Sequence, residues 1–71
     1  MAVSWSQVAP FVQAAFERQG RVERADVIDL AYEANVSDEV IDAIDEIGSR
    51  VFPTVEATRE FLTAQGVVTG G

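Results

Sequence analysis

The chain has no cysteine, no histidine and no lysine. Without cysteine there are no disulfides and no thiolate metal ligands, and the redox compartment leaves no mark on the sequence. Without histidine the commonest general base and the commonest metal ligand are both missing. Positive charge is scarce as well: Arg18, Arg21, Arg24, Arg50 and Arg59 stand against twelve carboxylates, giving a formal net charge of −7. Phosphate backbones and anionic membrane surfaces repel such a chain, so neither direct nucleic-acid binding nor membrane association is expected. No apolar run approaches the roughly 18 residues of a membrane span. The opening Met1-Ala2-Val3-Ser4-Trp5 has neither the basic part nor the long apolar part of a signal peptide, which makes the cytoplasm the default expectation.

What remains is a chain of 71 residues that is 48% hydrophobic, near the lower size limit for one unaided core. A weak homodimer would add burial to so small a core. The clearest helix is Ser37-Asp38-Glu39-Val40-Ile41-Asp42-Ala43-Ile44-Asp45-Glu46-Ile47. Ser37 suits an N-cap, and Asp38 and Glu39 lie at the positive end of the helix dipole. Val40, Ile41, Ala43, Ile44 and Ile47 make an apolar stripe at helical spacing, and the five carboxylates fall on the other side. This helix is expected to organise the rest, with Ile44 touching the second and fourth helices and Gly48 supplying its left-handed end.

Around it the pattern predicts three more helices. The first lies within residues 1–19, with Val8, Phe11, Val12, Ala15 and Phe16 as its stripe. Ser4 or Ser6 can cap it; Pro10 is better tolerated near a helix start, so Ser6 is preferred, with Trp5 then just outside the cap as a staple. Gln19-Gly20 ends this helix. The second runs from Glu23 or Arg24 to about Asn35, with Val27, Ile28, Leu30, Ala31 and Ala34 inward and Tyr32 at the margin. The fourth is capped by Thr54 and runs to about Gln65, with Val55, Ala57, Thr58, Phe61 and Leu62 inward. The aromatic residues other than Trp5 are read as mostly core. The expected fold is therefore all-α: a bundle of four short helices in a domain of residues 1–66, with 67–71 as a flexible tail. Arg21-Val22 and Arg50-Val51 are both extended and both lead into a helix, so they can pair as one two-residue β-bridge.

Val27-Ile28-Asp29-Leu30-Ala31, Glu33-Ala34-Asn35, Asp38-Glu39-Val40-Ile41-Asp42-Ala43-Ile44 and Phe52-Pro53-Thr54-Val55-Glu56 carry a resemblance. Residues 21–62 resemble a short bacterial domain family of unknown function, built of small acidic helical domains. The family commonly has proline ahead of its first helix and in its middle turn, where this chain has Glu23-Arg24 and Gly48. The resemblance implies the helical fold and a bacterial origin, and it implies no activity.

Few groups here offer chemistry. The ridge Asp38, Asp42 and Asp45, with Glu39 and Glu46, lacks the looped oxygen ligands and glycine turn of a calcium site, so no metal is expected. Acid–base work by a pair such as Asp42 and Asp45 needs a concave pocket and one raised pKa, which a convex helix does not supply. No enzyme activity and no cofactor are expected. The helix–turn–helix layout over 23–47 would present five carboxylates to phosphate, and Arg18, Arg21 and Arg24 sit beside carboxylates such as Glu17 and Glu23 with which they can pair. The ridge reads first as a solvated helix face and second as a binding surface. The functional expectation is a non-catalytic acidic protein–protein interaction module, its partner-binding residues being Trp5, Asp38, Asp42, Asp45 and Glu46. The alternative is an acidic regulator that mimics nucleic-acid phosphates to occupy a DNA- or RNA-binding protein.

Overall fold

Each of two helices is bracketed by a pair of very short strands, and the strands tie those helices together at both ends. The computed structural model describes residues 2–70 and has the order β1 (Val3–Ser4), α1 (Trp5–Gln19), β2 (Val22–Glu23), α2 (Arg24–Glu33), α3 (Asp38–Asp45), β3 (Val51–Phe52), α4 (Val55–Ala64) and β4 (Val68–Thr69). Strand β1 pairs in parallel with β4, Val3 opposite Val68 and Ser4 opposite Thr69. Strand β2 pairs antiparallel with β3, Val22 opposite Phe52 and Glu23 opposite Val51. The start of α1 is thus fastened to the end of α4, and the end of α1 to the start of α4. The two helices run antiparallel between two clasps.

The fold is mainly helical, with two small sheets, so the all-α expectation is corrected. The bridge between the two extended dipeptides is present, shifted by one residue from Arg21-Val22 and Arg50-Val51. The second sheet was not expected. Val67–Thr69 is no frayed tail: the Val3 amide donates to the Val67 carbonyl at 3.1 Å, and Val68 is buried. Gly71, the last residue of that expected tail, and Met1, the first of the expected helix region, lie outside the described residues.

The first helix starts two residues earlier than expected. Ser4 is its N-cap in an extended conformation, and the Ser4 amide donates to Gln7 Oε1 at 3.0 Å, the reciprocal bond of a capping box. Trp5 is therefore the first residue inside the helix. Pro10 lies within α1, where it cannot donate to the Ser6 carbonyl one turn back; Ser6 is exposed, so water can satisfy that oxygen. The helix ends at Gly20, left-handed with φ 74°, whose amide donates to the Phe16 carbonyl at 2.7 Å. Asn35, at φ 62°, makes the turn after α2. In α4, Thr54 Oγ1 accepts from the Ala57 amide at 3.0 Å, the cap expected from sequence.

The core is built from small and β-branched side chains. Val8, Val12 and Ala15 of α1, Val27 and Ala31 of α2, Val40, Ala43 and Ile44 of α3, then Ile47 and Leu62, are all buried, joined by Val3, Val22 and Val68 from three strands. Thr58 is buried among them and donates its hydroxyl to the Thr54 carbonyl at 3.1 Å. The aromatics are not the core. Trp5, Phe11, Phe16, Phe52 and Phe61 are half-buried around it, Tyr32 is 64% exposed, and Ala34 is exposed rather than inward. The organising role also moves. Helix α1 packs against all three other helices, whereas the main neighbours of α3 are α2, α1 and β1 rather than α4.

Ile44 has no exposed surface. Ile44→Ala should cost about 2–5 kcal/mol, a large share of the stability of so small a domain. A melting temperature within a few degrees of wild type would refute this placement. Ending the chain at Gly66 removes β4 and uncovers Val3. That truncation should cost about 2 kcal/mol or more in chemical denaturation, where loss of a frayed tail would cost nothing measurable.

Candidate functional site

Helix α3 has two unlike faces because the core takes one of them. Val40, Ala43 and Ile44 point inward, so Asp38, Glu39, Asp42 and Asp45, together with Glu46 just past the helix, are left exposed. Ser37 caps α3 through its carbonyl, which accepts from the Val40 and Ile41 amides at 3.1 and 3.2 Å, and its side chain makes no cap bond. Asp38 and Glu39 sit in the first turn, where the helix dipole favours them. Asp42, Asp45 and Glu46 lie towards the other end, where it does not.

The expected ridge divides in two. Asp45 Oδ1 accepts from Arg24 Nη1 at 2.8 Å, an exposed ion pair that ties α3 to the start of α2. Glu39, Asp42 and Glu46 instead share one stripe, and with Ala43 and Val67 they line a hollow of about 210 Å³. The hollow has carboxylates on its rim and two apolar side chains in its lining. Asp38 lies one helical turn before Asp42 along the same helix. Trp5 does not line the hollow; it is half-buried at the start of α1, and the Arg59 guanidinium lies 5.7 Å from its ring centre. The structure thus brings together Asp42 and Glu46 of the five expected partner-binding residues and adds Glu39 and Val67. Val67 was missed because the segment after Gly66 reads as a tail. The run of β-branched residues Val67-Val68-Thr69 was the available signal for a strand.

The arginines are mostly engaged within the chain. Arg21 pairs with Glu23 at 2.6 Å and Arg24 with Asp45. Arg50 stacks 4.5 Å from the centre of the Phe61 ring, and Arg59 donates to the Gly70 carbonyl at 2.8 Å. Arg18 sits in the last turn of α1, where the helix dipole favours a cation. Among the described residues these two ion pairs occupy two of the twelve carboxylates. Among the described residues, too, no three carboxylates are placed to hold a metal ion, and no helix is long and apolar enough to cross a membrane. Comparison with family models, with curated proteins and with solved structures gives no match.

The α3 row works against its own helix. Asp38 and Asp42, then Asp42 and Glu46, are like charges at i, i+4, each pair unfavourable by roughly 0.2–0.5 kcal/mol. Asp42→Arg replaces both repulsions with attractions and should stabilise the fold by about 0.5–1 kcal/mol, raising the melting temperature by a few degrees. Added salt should narrow the difference between the two proteins. A lower melting temperature for the variant would mean that Asp42 holds the fold by some contact of its own.

Proposed function

We propose that this chain is a non-catalytic protein–protein interaction module that offers an acidic surface to a basic partner protein. The observation that carries this reading is the asymmetry of charge use. Four of the five arginines are engaged inside the chain, while most carboxylates have no ionic partner among the described residues. Four of those carboxylates, Asp38, Glu39, Asp42 and Glu46, stand together along α3 and its end, and three of them line the hollow. A surface that costs its own helix stability is better understood through an external partner than through folding. Basic side chains from a partner would relieve the repulsion along the row, and electrostatic steering would speed their encounter.

The partner is to be isolated on immobilised wild-type chain, purified, and titrated at low and high salt. The same titration is run with Glu39→Gln/Asp42→Asn/Glu46→Gln, which spares the Arg24–Asp45 pair. Affinity is expected to fall about tenfold or more in the triple variant, with a flatter salt dependence. A partner that binds the variant as tightly as wild type would overturn the reading. A partner displaced competitively by DNA or RNA would favour phosphate mimicry instead.

A further inference from the structure

Residues 51–69 form one arm, in which β3, α4 and β4 follow each other and fold back on the preceding chain. The arm is attached mainly to residues 3–23: β3 pairs with β2, α4 packs on α1, and β4 pairs with β1. Val67 further lines the hollow on α3. The arm has no core of its own. Thr58, Leu62 and Val68 are buried, yet one ten-residue helix and two two-residue strands cannot enclose them unaided. An arm that opens must close again on α1, and the α1 of a second copy offers it the same surface, side chain for side chain. The joint that carries the arm is short. Ile47, fully buried, anchors one side of it, and Arg50, stacked on Phe61, anchors the other. Gly48 and Ser49 between them are exposed. The turn that sends the arm back onto its own chain needs Gly48 at φ 60°. It is held by the Gly48 amide donating to the Asp45 carbonyl and the Arg50 amide donating to the Ile47 carbonyl, both at 3.1 Å. An extended joint needs neither the positive φ nor the turn.

We infer that the chain has a second, arm-exchanged state: a two-fold dimer in which β3–α4–β4 of each copy closes on α1 of the other. The occupant is a second copy because exchange re-forms the β2–β3, β1–β4 and α1–α4 contacts already present and asks for no new complementarity. Straightening Gly48, Ser49 and Arg50 gives the arm roughly 10 Å of reach, at about 3.3–3.6 Å per residue. Two copies of net charge −7 repel, which favours the monomer in dilute, low-salt solution and makes exchange rise with salt and concentration. Each copy keeps its own α3, so the exchanged dimer carries two acidic rows. The inference does not depend on what α3 binds.

The chain has no cysteine, so Glu23→Cys/Val51→Cys places its only two thiols opposite each other across the β2–β3 pair. This protein is unfolded in denaturant and refolded, reduced, at micromolar and at about 1 mM concentration. Monomer and dimer are separated by size, oxidised, and run on a non-reducing gel. The monomer is expected to close its disulfide within one chain, and the dimer to be linked between chains, with the dimer share rising with concentration and salt. Gly48→Ala in the same background tests the joint. An added Cβ meets only Arg50 Nη1 at 3.6 Å and the Glu46 carbonyl at 4.0 Å, both ordinary contacts, so the substitution acts through the backbone. The dimer dissociation constant should fall about a hundredfold, roughly tenfold for each of the two joints. Inserting Gly-Ser-Gly after Gly48 lets the arm close without the tight turn and should lower the dimer share. A dimer whose disulfides all stay within single chains would be a surface contact and would overturn the inference. Absence of any linked dimer at the higher concentration, with Gly48 or with Gly48→Ala, would overturn it as well. Should Gly48→Ala lose its helical circular dichroism, the gel with Gly48 in place decides alone.

Discussion

The antiparallel pairing of α1 with α4, clasped at both ends by two-residue strands, is the constraint on which the rest of the structure depends. A two-stranded ribbon of this length is not stable by itself. Each clasp gains its stability from the valines it carries into the core: Val3 and Val68 at one end, Val22 at the other. The helices benefit in turn. Helices as short as α2, α3 and α4 are marginal alone, and packing on the Val8–Val12–Ala15 stripe of α1 gives them their stability. Strand and helix each supply what the other lacks. The parallel β1–β4 pairing also makes the whole intervening chain one long crossover, so the two ends of the sequence must meet before the core can close.

Helix existence was legible in the sequence because it is a local property. The caps at Thr54 and Gly20, the left-handed Asn35 and the inward Val40, Ala43 and Ile44 all follow from spacing and residue type. The start of α1 was misjudged by weighing Pro10 above the Ser4-Trp5-Ser6-Gln7 capping-box pattern. The proline is tolerated because the carbonyl it orphans belongs to an exposed residue. The β1–β4 sheet was illegible for another reason. Two residues have no periodicity, and nothing local couples Val3 to Val68 across the length of the chain. The aromatics misled because size was equated with depth. Where α1 meets three other helices, valine and alanine let the backbones approach, and the rings of Phe11, Phe16, Phe52 and Phe61 close the edges instead. Phe52 and Phe61 pack 5.3 Å apart at one such edge, with Arg50 over the second ring.

The candidate surfaces were legible in part. A carboxylate row on α3 follows from helical spacing, but which carboxylates stay free depends on tertiary placement. Arg24 reaches Asp45 only because β2 delivers the start of α2 beside the end of α3, twenty-one residues away in sequence. The hollow exists only because β4 carries Val67 against the Glu39–Asp42–Glu46 stripe. Long-range pairing thus decides what charge composition left open.

The same clasp that holds the fold shapes the outer face of α4. Fastening β3 to β2 and β4 to β1 fixes both ends of α4, and burial of Thr58 and Leu62 fixes its rotation, so Glu56, Glu60 and Thr63 have no freedom to turn inward. Pairing β4 with β1 carries Gly70 to the point where Arg59 can reach its carbonyl, and it sets Trp5 beneath the same guanidinium. With its one cation so committed, this side of the helix keeps its two carboxylates free. Loosening the β1–β4 clasp would therefore release Arg59 from the Gly70 carbonyl and let it pair with Glu56 one turn back on α4. Core stability and surface charge are linked here through a single arginine.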